Sequence, residues 1–397
     1  MATDLSGSPR GSLVDITGTD HRFNAPYELK AFRPHPLPRS VELPNETWIA
    51  LSDAMAALGR LDDAASMFPL PQLVTRIATR REAVGTSALE GTFAELSELV
   101  AAETTSAGDE DPKVPANVRE VMNYVRAADL AYDWVRERPI TLSLLSELQA
   151  VIVRGTPSDG PEAGALRAGQ VFIGAAHRPI AEARFIPTPP GDQLRVLVED
   201  WLHWVNDGSL RKSLHLLVRV ALAHYQFEAI HPYADGNGRL GRLVMALQIQ
   251  ADGVLHQPAL SVSDWLSDHG TEYRDHLLQV SVGGDWDPWV GFIAKAVAES
   301  AEDSHRRITG LLALREELFE IARSALPRAR LALDIAEDLI AFPILSVAFA
   351  ETRHGKSNQA SRNAIGRLCE IGLLEQFSDS RYGRLYWNRR VLEVMES

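Results

Sequence analysis

Between Leu214 and Ile230 the chain is dominated by apolar side chains, and a second run follows with Leu240, Leu243, Val244 and Leu247 at helical spacing. The two runs predict a helix–loop–helix whose polar joint is His231-Pro232-Tyr233-Ala234-Asp235-Gly236-Asn237-Gly238-Arg239-Leu240-Gly241-Arg242. The same periodicity predicts helices through Trp48, Leu51, Met55, Leu58 and Leu61, from Val118 to Tyr124, and through Leu144, Leu148 and Ile152 with Thr141 as N-cap. Further helices are expected from Asp192 to Trp204, around Trp265, Tyr273 and Leu277, from Trp286 to Phe292, and as a long connector from Glu299 to about Arg323. Pro34-His35-Pro36-Leu37-Pro38 is an extended break. Residues 1–24, rich in Ser, Gly, Thr and Asp, read as a poorly ordered leader, and Glu103 to Pro112 as an exposed loop.

The pattern changes character twice. At Gly164 to Gly174 glycines bracket a β-prone run, and Phe185-Ile186-Pro187 follows a polar turn. Val171, Phe172 and Ile173 facing Phe185 and Ile186 predict a short hairpin. An isolated hairpin is marginal, so this one must lie on something. Near the end, Leu331 to Ala350 is helical in pattern but interrupted at Pro343, and Thr352 to Ser357 is a turn. A helix from Asn358 to Ile371 ends at Gly372, and Leu373 to Phe377 and Arg384 to Trp387 read as strands around 378–383. Helix, turn, helix and hairpin resemble a winged helix-turn-helix, with Ser357, Asn358, Gln359, Ser361, Arg362 and Asn363 opening the recognition helix and Arg381 and Arg384 on the wing. DNA binding is one reading of this unit. Docking onto another protein is the other, favoured because Glu370, Glu375 and Asp379 dilute its positive field.

The chain has 397 residues, room for two or three domains, with 45% hydrophobic and 23% charged residues. A net charge of −13 argues against a protein that coats nucleic acid. One cysteine, Cys369, excludes an intrachain disulfide and suits a reducing compartment. No apolar stretch approaches the roughly 20 residues of a membrane span, and no signal pattern opens the chain, so a cytoplasmic protein without membrane contact is expected.

The polar joint carries the chemistry. Gly236 and Gly238 permit positive φ and close approach to a phosphate, and successive N–H groups at a helix N-terminus form an anion nest. Arg239 and Arg242, three apart, suit phosphate oxygens. Asp235 suits Mg²⁺, and His231 a general base. Together they describe phosphoryl or nucleotidyl transfer. Gly236-x-Gly238-x-x-Gly241 also matches the dinucleotide fingerprint, but a helix rather than a strand precedes it.

Position by position the run resembles the Fic family signature, His-x-Phe-x-Asp/Glu-Gly-Asn-Gly-Arg-x-x-Arg, with Tyr233 replacing the usual Phe. Thr86-Ser87-Ala88-Leu89-Glu90-Gly91 resembles that family's inhibitory motif, Ser/Thr-x-x-x-Glu-Gly/Asn. The resemblance implies an all-α Fic core with a small β-hairpin flap, an N-terminal helical inhibitory region and a C-terminal winged helix-turn-helix. The corresponding boundaries are 25–112 for the inhibitory region, 113–298 for the Fic domain, 299–326 for a linker helix and 327–397 for the winged helix. It implies transfer of AMP from ATP to a Tyr, Ser or Thr hydroxyl of a target protein, releasing pyrophosphate. His231 would be the base and Asp235 the Mg²⁺ ligand. Gly236, Asn237 (with its side chain) and Gly238 would cradle the phosphates, and Arg239 and Arg242 would hold the β- and γ-phosphates. Tyr273 would sit by the adenine, although the family's usual second tyrosine is not evident. Glu90 would pair with Arg242 and block a productive γ-phosphate pose, and the flap would clamp the target by strand addition. The class is expected to form homodimers. Remaining alternatives are transfer of another nucleotide, removal of AMP with Glu90 positioning a water, or a DNA-binding regulator with a vestigial site.

Overall fold

The computed structural model describes residues 4–20, 23–68, 71–105, 114–175, 177–377 and 384–397. Its centre is α8 (Leu216–Ile230), of which every residue but Glu228 is buried. A helix apolar on all sides belongs in a core. Two of its polar side chains find partners at its flanks. Arg219 Nη2 donates to both Asp252 carboxylate oxygens at 2.8 Å, and Gln226 donates to the His35 carbonyl at 3.0 Å.

Before α8 the chain forms α1 (Asn45–Ser66), α2 (Pro71–Leu89), α3 (Leu96–Thr105), α4 (Ala116–Val135), α5 (Leu142–Val153), α6 (Asp192–Val205) and α7 (Leu210–Ser213). After it come α9 (Asn237–Ala251), α10 (Ser263–Asp268), α11 (Gly270–Gly283) and α12 (Asp287–Ala325). Thr141 caps α5 by accepting the Leu144 N–H at 3.2 Å, as its position suggests. In α1, Leu51, Ala54, Leu58, Leu61 and Ala65 share one buried stripe, and α1 runs along α12. Thr47 bonds Asp287 near both helix starts and Arg60 pairs with Glu302 farther on, so the two helices run parallel. The connector expected from Glu299 is the second half of α12, a continuous helix of 39 residues that begins inside the core.

Three expectations need correction. Residues 11–20 are not a disordered leader: β1 (Gly11–Asp20) pairs antiparallel with β2 (Ala25–Pro34), from Gly11 opposite Pro34 to Asp20 opposite Ala25. Polar Thr, Ser and Asp obscured a β-branched strand, which is held because Ile16, Asp20, Ala31 and Phe32 turn inward. The predicted flap is slighter than two strands. Ile173 and Phe185 form a single antiparallel bridge with N–H to O distances of 2.9 and 3.1 Å, around a 3-10 turn at Ile180–Glu182. The short hairpin gains support from β2, where the Phe32 N–H donates to Ile186 O at 2.7 Å, Phe32 packs on Phe185 and Tyr27 packs on Phe172. Helix α3 reaches Thr105, so Glu103 is helical; 106–113 lie outside the described residues.

The C-terminal unit holds α13 (Arg330–Asp338), β3 (Ile344–Ser346), α14 (Val347–His354), α15 (Asn358–Glu370), β4 (Glu375–Gln376), β5 (Leu385–Trp387) and α16 (Arg389–Glu396). Its sheet order is β3-β5-β4, both pairings antiparallel. The helical run stops at Asp338, ahead of Pro343, and the chain after the proline becomes β3. Arg381 lies outside the described residues, Arg384 is exposed, and Ser361 is fully buried and so unavailable to a partner. No helix among the described residues is long and apolar enough to cross a membrane.

Phe32 is completely buried between the amino-terminal hairpin and the flap. Phe32→Ala should therefore cost about 3–5 kcal/mol of stability, measured as a lower denaturant midpoint.

Candidate active site

The site begins where α8 ends. His231 is its C-cap, a non-glycine residue in the left-handed region at φ 50° and ψ 64°. A residue there costs about 1–2 kcal/mol, which its surroundings must offset. Pro232 and the fully buried Tyr233 follow, and Gly236 at φ 79° turns the chain into α9. The Leu240 N–H makes α9's first internal bond, to Gly236 O at 3.0 Å. The N–H groups of Asn237, Gly238 and Arg239 therefore stand ahead of the helix's own ladder. Asn237 closes the loop on itself. Its buried amide accepts from Tyr233 N at 2.9 Å and donates to Tyr233 O at 2.8 Å. It is the clasp that shapes the loop, and these two bonds use one of its two amide hydrogens.

One cleft gathers Glu90, His231, Gly238, Arg242 and Tyr273 with Ile173 and Phe185 of the flap. Its empty volume is about 880 Å³, part of it open to solvent. Asp235 and Arg239 fall outside this lining. Arg239 is buried, with its guanidinium 3.5 Å from Glu120 and 3.7 Å from Asp235. The two signature arginines thus face different surroundings, and only Arg242 faces the cleft. Tyr273 is buried, with its hydroxyl 2.7 Å from His224 Nε2.

Helix α2 delivers the anion. Glu90 Oε1 lies 2.6 Å from Arg242 Nη2, while Thr86 takes Arg242 Nε on its hydroxyl at 2.7 Å and Nη2 on its carbonyl at 3.1 Å. Burial pushes the Glu90 carboxyl upward, but the Arg242 charge and hydrogen bond bring it below its ordinary value. Gly91, at φ 89°, turns the chain away after Glu90. A methyl group at Gly238 would run into Glu90 Oε1, so this glycine is what lets the carboxylate lie over α9. The turn is held again from behind: Thr92 Oγ1 donates to Glu120 at 2.9 Å, the same carboxylate oxygen that faces Arg239.

The imidazole is held neutral. Burial pushes His231 down to about 4, Arg167 pushes the same way, and Glu90, the Glu228 backbone and Asp235 pull back. Two neighbours escaped the sequence reading. Glu228, one turn before His231, places Oε2 3.7 Å from His231 Nδ1, and burial lifts its carboxyl to about 7. The only sequence signal for it is an acid inside an otherwise buried apolar helix. Arg167 is buried under the loop and donates to main-chain carbonyls, a partner set that leaves no residue pattern to find.

Among the described residues no group of three or more His, Cys, Asp or Glu side chains could hold a metal. Asp235 is a single donor whose side chain is 45% exposed, with its oxygens accepting from Ser158 Oγ and Gly236 N, both at 2.6 Å. One exposed carboxylate beside free N–H groups fits Mg²⁺ shared with bound phosphates and water; it does not fit a self-contained protein cage.

Comparison with known proteins adds to this geometry. The pattern described as Fic/DOC family N-terminal matches residues 48–133, and that described as Fic/DOC family matches residues 139–249. Proteins named protein adenylyltransferase Fic from Drosophila mojavensis and Drosophila virilis are each 31% identical over 185 residues, 45% of this chain. That match spans only about a third of their own length, 33% and 34%. A Fic family protein from Desulfovibrio desulfuricans G20 shares the fold, with a TM-score of 0.53 at 21% identity over 89% of this chain and 98% of that one.

A depressed imidazole has a measurable signature. In the unliganded protein the His231 ring should titrate far below 6.5, near 4, in an NMR pH series. Because Glu90 favours the imidazolium, Glu90→Gln should lower that midpoint further.

Proposed function

The chain belongs to the Fic/DOC family, and from that membership we propose that it is a protein adenylyltransferase held in check by its own Glu90. The observation that carries this reading is the shared cleft, in which a neutral imidazole, the Gly238 end of α9 and the Arg242 guanidinium face one space. His231 removes the proton from a Tyr, Ser or Thr hydroxyl of a target protein. That oxygen attacks the α-phosphate of ATP, and pyrophosphate leaves. A base at the working pH must be unprotonated before it acts, as the depressed imidazole is. The N–H groups of Asn237, Gly238 and Arg239 and the cation of Arg242 stabilise charge on the phosphates. Asp235 would hold Mg²⁺, which neutralises phosphate charge when bound. Arg239 braces Asp235 and meets the phosphates only if it leaves Glu120.

Inhibition follows from the charge. Glu90 occupies the Arg242 hydrogen-bonding edge that a γ-phosphate would use, and it sets a negative group in the phosphate path. The flap supports a docking role. Ile173 spends its N–H and carbonyl on Phe185, so Phe172 and Gly174, pointing the opposite way along the strand, offer theirs to an added target strand. The same cleft with Glu90 in place also suits a water poised for removal of AMP. Intact-mass measurement distinguishes gain from loss of an AMP group.

For the C-terminal unit, the β3-β5-β4 sheet beside α14 and α15 supports a winged helix-turn-helix. Its exposed helix start is partly self-engaged: Asn358 donates to Glu351 at 3.1 Å and Gln359 to Asn363 at 2.8 Å. That favours docking to protein over DNA. An electrophoretic shift assay should show no DNA affinity that falls steeply with salt, and a steep log–log salt slope would overturn the docking reading.

Glu90→Gly should raise AMP transfer from α-labelled ATP by roughly ten-fold or more, the scale set by one charged hydrogen bond. In that background His231→Ala should lower it by about 10²–10⁴-fold. An inactive Glu90→Gly protein that is folded and binds ATP would sink the assignment.

A further inference from the structure

Arg167 is 2% exposed and sits at the seam between flap and catalytic turn. Its Nε donates to His231 O at 2.8 Å, and Nη2 donates to Thr188 O at 2.5 Å and Ile230 O at 3.4 Å. Nη1 donates to Gly169 O at 3.2 Å, and the main-chain N–H donates to Pro232 O at 3.0 Å. Gly169 precedes the first leg of the flap and Thr188 follows the second, while Ile230, His231 and Pro232 are the turn itself. No carboxylate figures among these partners. A buried cation without an anion is costly, and this one is met by carbonyl oxygens at the C-terminal, negative end of α8.

We propose that Arg167 is a positioning residue for the transfer reaction, one guanidinium that ties both legs of the flap to the α8–α9 turn and fixes the left-handed backbone and ring direction of His231. The inference rests on the adenylyltransferase reading of the cleft. It gives the strained His231 conformation its cause, since the carbonyl that αL geometry turns inward is the one Nε holds. It also makes flap and base one unit, so the acceptor strand and the imidazole keep a fixed relation. A near-attack arrangement tolerates little error, and misplacement by about 1 Å costs on the order of a hundred-fold in rate.

The charge matters as well as the fork. The charged groups bearing on the His231 ring are Arg167, Glu90 and Asp235, with Glu228 Oε2 3.7 Å away. Of these Arg167 is the one that disfavours the imidazolium, so it keeps the lone pair available. Burial lowers the Arg167 guanidinium itself only to about 10, so it is still a cation at neutral pH.

The test uses the full chain carrying Glu90→Gly, with Arg167→Lys and Arg167→Gln added separately. Two readouts are taken: the NMR titration of the His231 ring, assigned by its loss in His231→Ala, and kcat and KM for AMP transfer. Arg167→Lys keeps the charge and loses the fork. It should leave the ring midpoint low and lower kcat by about thirty-fold or more, with KM for ATP within about three-fold. Arg167→Gln also loses the charge, so its ring midpoint should rise by about one pH unit or more. Should Arg167→Gln not fold, the lysine variant decides alone, and a kcat within about three-fold of the parent overturns the proposal. For folded Arg167→Gln, an unmoved midpoint overturns it too. If the Glu90→Gly parent transfers no AMP while the midpoint still rises in Arg167→Gln, the reaction assignment falls and the positioning of His231 by Arg167 stands.

Discussion

Arg242 is the constraint around which the site is built. It rises from α9 into the protein with its side chain only 3% exposed, and a buried guanidinium must find acceptors for its N–H groups. α2 supplies the partners: the Thr86 hydroxyl, the Thr86 carbonyl and the Glu90 carboxylate. To bring them in, α2 must pack tightly against α10. Gly85 is the contact point, where any side chain would collide with Ser263 and Asp264. Glu82, one turn earlier, is fully buried and accepts from Ser261 Oγ, Ser263 Oγ and the Ser263 N–H, which opens α10. The helix is therefore positioned from its middle, and Glu90 is the far end of a rigid arm.

The same arm touches the C-terminal unit. Arg81 pairs with Asp264 at 2.6 Å and donates to the Met395 carbonyl of α16 at 2.5 Å, while Arg80 pairs with Glu103 of α3, the helix that packs on β3. Two consecutive arginines thus connect α2 to elements that belong to, or lean on, the β3-β5-β4 sheet. The contacts of that unit thus reach the residues next to Glu82, eight positions before Glu90. Mechanical continuity of this kind is a physical route between sites only where an element has two arrangements. Beyond Gly91 the chain is secured by Thr92 on Glu120 and by Asn117 on the Phe93 carbonyl, and Phe93 itself is 72% exposed.

Much of this was legible in the sequence because the chemistry is local there. His231 to Arg242 are twelve consecutive residues, and the cleft needs helix, turn and helix in that order, so periodicity and glycine placement locate it. The Thr86 and Glu90 pair is legible only through resemblance, since an acid at the end of a helix is ordinarily a solvent-facing group. What stayed hidden depends on main-chain partners, some near and some distant. Arg167 and Asn237 bond to carbonyls and N–H groups, which every residue has, so no side-chain pattern marks their roles. β1 and β2 hid for a related reason. Their register is set partly by Phe32 docking on Ile186 and Pro187, more than 150 residues away, and their composition alone resembles a loose tail. Arg239 has side-chain partners that its spacing does not announce. It stands about 60° around α9 from Arg242, and that offset lets Glu120 draw one guanidinium aside while α2 holds the other.

On the proposed reading, the contest for Arg242 is between a tethered carboxylate and a free polyanion. A triphosphate brings more charge to the guanidinium than Glu90 does, and the Glu90 side chain is 42% exposed to the cleft, so the pair is open to competition. The carboxylate's advantage is its tether: held by α2 on one side and by Thr92 on the other, it has little entropy left to lose on binding. ATP and inhibited protein are then linked reciprocally, each weakening the other by the same factor. A regulator that touched the cleft itself would have to outbid both. One that loosened the Gly85–Ser263 contact or the Thr92–Glu120 bond would instead remove the tether's advantage and leave the phosphate groove intact. The geometry therefore favours control exerted on the anchors of α2, remote from the atoms that react.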